Sequence, residues 1–141
     1  GAGLILLTTA LLLGPSPALA DPASEQQLQA LAGQGDANAQ WMLGQALLTG
    51  NLGTTDEVEG VRWLQLAADQ GHALAQRDMG MLYEQGQGVT QDTLEAFFWY
   101  SLASRQDSGR ARLRRDALAA MLTPDQREAI AARLKGWRPS R

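Results

Sequence analysis

The sequence predicts an all-α fold, a short solenoid of antiparallel helix pairs, and three observations carry that prediction. The chain repeats itself at a stride of 36 residues. Each copy holds two segments bounded by helix start and stop signals, and a glycine recurs in the middle of the first segment of both copies. A period in the range of roughly 20 to 50 residues is the mark of a stacked array of small units.

The repeat is read most easily from GDANAQWMLG at Gly35 and GHALAQRDMG at Gly71. Aligning the two copies pairs Gly35 with Gly71, Ala37 with Ala73, Ala39 with Ala75, Gln40 with Gln76, Gly44 with Gly80 and Gly50 with Gly86. Agreement continues through Asp56 and Asp92, Glu59 and Glu95, Trp63 and Trp99, and Gln70 and Gln106, to a total of 13 identities in 36 positions. Unrelated sequence of ordinary composition would give about two or three.

Taken in chain order, residues 1–20 read as a signal peptide whose n-region is truncated. Ala2 to Leu13 is an apolar run of twelve residues, shorter than the ~20 that span a bilayer, and Ala18-Leu19-Ala20 fits the small-x-small cleavage rule. An exported, periplasmic protein is expected, with no integral membrane span after cleavage. In residues 21–34, Ser24 and Gln27 start a short helix that caps the first repeat. Residues 35–70 form the first repeat and 71–106 the second. Helix A of each runs over 37–49 and 73–85 and ends at a glycine able to take the left-handed conformation. Helix B opens at Asp56 with Glu59, and at Asp92 with Glu95, as capping boxes in which the Glu reaches back to the cap.

Gly44 and Gly80 cost roughly 1 kcal/mol each relative to alanine inside a helix. Close approach of helix B, through the small residues Ala67, Ala68 and Ala103, is the expected compensation. Leu43, Leu47, Trp63, Met79, Tyr83 and Trp99 then fill the space around each crossing. Residues 107–141 read as a degenerate third repeat, with Asp116 where the glycine should stand, followed by a C-terminal capping helix. That last helix is opened by Thr123, Pro124 and Gln126 and runs to about Gly136. Polar terminal units are what a short array requires.

The pattern G-[DH]-A-x-A-Q-x-x-[LM]-G, followed by Asp, Trp and a small pair before the next Gly, resembles the Sel-one-like repeat (SLR) family, a relative of the tetratricopeptide repeats. The second copy, with YEQGQGV from Tyr83 to Val89, is nearly ideal, whereas the first has Leu47 in place of Tyr and NLG at 51 to 53. The resemblance covers about residues 24–137. It implies a right-handed superhelix that works as a protein-interaction scaffold, often in bacterial envelopes, and it implies no catalytic residues and no cofactor.

Charge divides the chain. Residues 1–104 carry 2 basic and 11 acidic side chains, and residues 105–141 carry 10 basic and 4 acidic. With a sequence pI near 5.0 and export expected, nucleic acid is not an expected partner. The absence of cysteine removes disulfides, and His72, the only histidine, stands where Asp36 stands in the first copy. No metal site and no nucleophile–base pair beyond a Ser/Lys combination is available on this inventory.

A partner protein is therefore expected in a concave groove lined by the A helices. With Leu43, Gly44 and Leu47 turned toward helix B, helical spacing puts Asn38, Trp41, Gln45, Leu48 and Thr49 on the groove side. Leu74, Arg77, Met81, Glu84 and Gln85 follow one repeat later, and Arg110, Leu113, Ala117 and Ala120 in the third unit. Asn38, Trp41, Gln45, Arg77, Met81 and Gln85 are the candidate partner-binding residues. Trp41, Arg77 and Met81 lead because aromatic, Arg and Met side chains concentrate binding energy at interfaces. For Trp41 the alternative is packing against the N-terminal helix. A second hypothesis assigns Arg110, Arg112, Arg114 and Arg115 to a glycan or anionic envelope polymer. A solvated helix face is the alternative for that cluster.

Overall fold

The computed structural model describes residues 22–106 and 109–141, so the expected signal segment lies outside the described residues. Seven helices are found among them: α1 (Pro22–Gly33), α2 (Ala37–Thr49), α3 (Glu57–Asp69), α4 (Ala73–Gln85), α5 (Thr93–Gln106), α6 (Gly109–Ala119) and α7 (Pro124–Gly136). None of these is long and apolar enough to cross a membrane. The helices pack in sequence as an all-α solenoid, α2 against α3 and α4 against α5 as the two hairpins, with α1 and α6 covering their ends.

Helix A of each hairpin starts and stops where local chemistry says it should. Asp36 accepts from the Ala39 N–H and His72 Nδ1 from the Ala75 N–H, each occupying one of the donors a helix start leaves without a partner. Gly50 (φ 79°) and Gly86 (φ 70°) close the two helices in the left-handed conformation. Helix α1 begins at Pro22, two residues before Ser24, so Ser24 is not its cap.

The capping boxes expected at the B helices do not form. Asp56 and Asp92 do cap, accepting from the N–H groups of Glu59 and Glu95 at 3.0 and 3.1 Å. Their own N–H groups, however, donate to Leu47 O and Tyr83 O, both at 2.9 Å, because the A–B loop folds back onto helix A. With that donor taken, Glu59 turns to Arg62 and Glu95 to Arg133. At Thr123 no such loop intervenes, and the reciprocal box with Gln126 is complete.

The glycine crossings are real, but their partners differ from those expected. A Cβ on Gly44 would lie 2.7 Å from Leu64 Cγ and 2.8 Å from Gly60 O, and a Cβ on Gly60 would lie 3.0 Å from Gly44 O. On Gly80 it would lie 2.8 Å from the Tyr100 ring. Ala67, Ala68 and Ala103 are buried at 0–1% exposure, but they sit one turn further along the B helices. One crossing is therefore backbone on backbone and the other backbone on aromatic ring. Around them Leu43, Met79 and Trp99 are buried, while Leu47, Trp63 and Tyr83 pack on the core from half-buried positions.

Two of the repeated glutamines join the units. Gln40 and Gln76, 4% and 0% exposed, donate to Ala32 O and Ala68 O of the preceding helix. Gln70 and Gln106 in turn donate to the side-chain oxygens of Gln40 and Gln76. A buried amide left without partners would cost about 1–3 kcal/mol, so each copy must carry the whole set or none of it.

The C-terminal third departs from the repeat. Asp116 is exposed, and α7 packs on α5 instead of pairing closely with α6. Ile130, Leu134 and Trp137 join the core of the second hairpin, and the Arg133 guanidinium lies 3.7 Å above the Phe98 ring. The chain then returns across the first repeat, where the Ser140 N–H donates to Asp69 O at 2.7 Å.

Candidate functional site

The A helices and α6 surround an open concave cleft of about 760 Å³. Its lining is Gln45 of α2, Arg77, Asp78, Met81, Glu84 and Gln85 of α4, Tyr100 of α5, and Arg110, Leu113 and Arg114 of α6. Six of the candidate residues, Gln45, Arg77, Met81, Gln85, Arg110 and Arg114, thus share one surface. The groove and part of the arginine cluster are the same place.

Asp78 organises the cleft between the two hairpins. It is 2% exposed, and its Oδ2 accepts from Trp41 Nε1 at 2.7 Å and from Gln45 Nε2. Its Oδ1 faces Arg77 Nη2 at 3.4 Å. A buried carboxylate is stable only when it is paired and hydrogen-bonded, and both repeats supply its donors. Glu84, one turn beyond Met81, accepts from the Tyr100 hydroxyl at 3.0 Å and from the Arg114 guanidinium. The Arg114 contact holds the Glu84 carboxyl below the usual carboxylate range. Burial, reinforced by the Glu84 hydrogen bond, pushes the Tyr100 phenol well above its ordinary range.

Trp41 does not reach the cleft and does not pack on the N-terminal helix. It stacks on His72 of the second repeat, ring centroids 5.3 Å apart, and donates to Asp78. Asn38 faces His72 Nε2 at 3.3 Å. Both residues are hinge-pins of the junction between hairpins. Because His72 Nδ1 accepts from a backbone N–H, the ring must be neutral, and burial depresses its pKa in the same direction.

Other expected groove residues point elsewhere. Leu48 packs on α3, its Cγ 3.0 Å from where a Cβ of Gly60 would stand, and the Thr49 hydroxyl donates to Gln45 O. Ala117 and Ala120 are exposed beyond the cleft, and Leu74 is exposed but outside the lining. Of the arginines outside it, Arg112 is exposed, Arg115 engages Asp116 and Ser104 Oγ, and Arg105 donates to Leu134 O. The cluster is thus divided by the helix it sits on.

Sequence reasoning missed Asp78 and Tyr100. The available signal was departure from the repeat: the first copy carries Met42 and Leu64 at those positions.

A family model described as Sel1 repeat matches residues 37–72 and 73–108, a frame displaced by two residues from units 35–70 and 71–106. The chain is similar to the crystal structure of a protective antigen present in uropathogenic Escherichia coli strains and displaying an SLR fold, with 31% identity and a TM-score of 0.72 over 77% of this chain and 24% of that one. It is also similar to a Sel1 repeat protein from Oxalobacter formigenes, with 36% identity and a TM-score of 0.61 over 63% of this chain and 37% of that one. The chain therefore spans 24% and 37% of the length of these two structures. Comparison with curated proteins gives no match.

Proposed function

The chain belongs to the Sel1 repeat family, whose members act as protein–protein interaction scaffolds, and from that premise we propose that its concave cleft binds a segment of a partner protein in the bacterial envelope. The observation that carries this reading is the cleft itself. Met81 and Leu113 are 39% and 69% exposed on two helices that both line the cleft, beside arginines, on a surface to which both repeats and α6 contribute. An exposed Met beside Arg side chains is the composition found where interfaces concentrate their energy. The envelope location rests on the apolar leader and its Ala18-Leu19-Ala20 site.

The role is that of an adaptor without catalytic residues of its own. Photo-crosslinking residues placed at Met81, Gln85 and Leu113 in intact cells should capture one and the same protein, which placement at Val58, 74% exposed on α3, does not. Equal capture from Val58, or different proteins from the three cleft positions, would refute the assignment. Binding of a glycan or anionic polymer through the arginines is the second reading. It is favoured only by Arg110 and Arg112, which stand exposed on α6.

A further inference from the structure

We propose that the occupant of the cleft is an acidic amphipathic segment, one or more Leu-like side chains seated between Met81 and Leu113 with carboxylates on either side; this rests on the groove reading above and specifies its partner. The inference comes from which hydrogen-bonding capacity the cleft has already used. The two carboxylates among its described lining residues are turned inward. The Asp78 side chain is 3% exposed and its oxygens are taken up by Trp41, Gln45 and Arg77. The Glu84 side chain is 20% exposed and engaged by Tyr100 and Arg114.

The cations, by contrast, face outward. The side chains of Arg77 and Arg114 are 31% and 51% exposed, and Arg110 is exposed at the rim. Arg77 meets Asp78 only at 3.4 Å, and a guanidinium carries more N–H donors than that contact uses. What the cleft offers a visitor is therefore guanidinium donors around an apolar centre. A partner whose polar groups are acceptors fits such a surface, and one bringing ammonium or guanidinium groups would meet like charge, with no free carboxylate among the described lining residues to receive it.

The test uses fluorescein-labelled fourteen-residue helical peptides, as probes, with Leu at two successive helical turns flanked by Glu, by Gln or by Lys, and a fourth Glu peptide with both Leu replaced by Ser. Anisotropy should show the Glu–Leu peptide binding at least ten-fold more tightly than the other three. Its affinity should fall at least five-fold between low and physiological salt, and at least ten-fold in Arg77→Gln/Arg110→Glu. Tight binding of the Lys–Leu peptide, no binding of the Glu–Leu peptide, or indifference to salt would overturn the inference. Equal binding of the Glu–Ser peptide would overturn it too, in favour of simple polyanion attraction. The peptide comparison needs no altered protein, so a variant that fails to fold cannot decide it. Crosslinking of a basic or neutral partner at Met81 and Leu113 would sink this inference while leaving the groove reading intact.

Discussion

The two glycine-crossed hairpins and the C-terminal end are built on different terms. In α2–α3 and α4–α5 the helices meet so closely that a single added carbon has no room, and buried glutamines bolt one unit to the next. At the C-terminal end, Asp116 replaces the glycine, and beyond the apolar contacts of Ile130, Leu134 and Trp137 α7 is held on α5 by the Arg133–Glu95 pair, the Arg133–Phe98 contact and the Arg105 bond to Leu134 O. Tight crossings define geometry because backbone cannot yield. Long side chains on a helix surface leave α6 free to present other groups, and it presents Arg110, Leu113 and Arg114 to the cleft. The repeat supplies the frame, and departures from the repeat supply the site.

The sharpest way to break that contrast is to add bulk at a crossing and remove it at the degenerate position. Gly80→Val, pressed against the Tyr100 ring, should destabilise by about 3 kcal/mol and lower the thermal midpoint by about 10 °C or more. Asp116→Ala, at the equivalent but exposed site, should change stability by less than about 1 kcal/mol and in the favourable direction. Next in size is the glutamine bolt. Gln76→Ala strips Ala68 O of its side-chain donor and leaves Gln106 with Gly71 O as its acceptor, and should cost about 2 kcal/mol by urea unfolding, against about 1 kcal/mol for Thr123→Ala at the α7 cap.

The same contrast extends to charge. Asp78→Ala leaves the Trp41 and Gln45 donors unpaired between the hairpins and should cost about 2 kcal/mol, whereas Arg114→Ala, which removes a half-exposed guanidinium from Glu84, should cost about 0.5 kcal/mol. The smallest effect is that of pH on His72. Its pKa is depressed in the folded state, so the unfolded chain takes up the proton first and stability falls as pH drops below roughly 6.5. His72→Asn keeps a cap and should remove that part of the decline. A pH profile identical in the variant would remove His72 from the junction's account.

The bounds of both A helices were legible because their signals are local: a capping side chain at one end and a glycine with positive φ at the other. Gly44 and Gly80 were legible because an unfavourable choice made twice demands a reason. Their partners were not, since Gly60 and Tyr100 meet them only after the hairpin closes. The Glu59 and Glu95 boxes failed for a related reason: a carbonyl in the last turn of helix A, Leu47 O or Tyr83 O, outbid the side chain. In the cleft, helical spacing located Gln45, Arg77, Met81 and Gln85, but on α2 Leu48 packs against α3 and Trp41 stacks on His72. Asp78 escaped notice because a buried carboxylate is intelligible only with its cross-repeat donors in view.

The claim on which the functional account rests is that this protein meets its partner through the concave cleft and not through the B helices. Met81 and Val58 are both apolar and exposed, one on each surface, so affinity for the captured partner should be compared in Met81→Glu and Val58→Glu. The account predicts a loss of at least ten-fold for Met81→Glu, none for Val58→Glu, and unchanged thermal midpoints for both. Equal losses, or a loss confined to Val58→Glu, would contradict it.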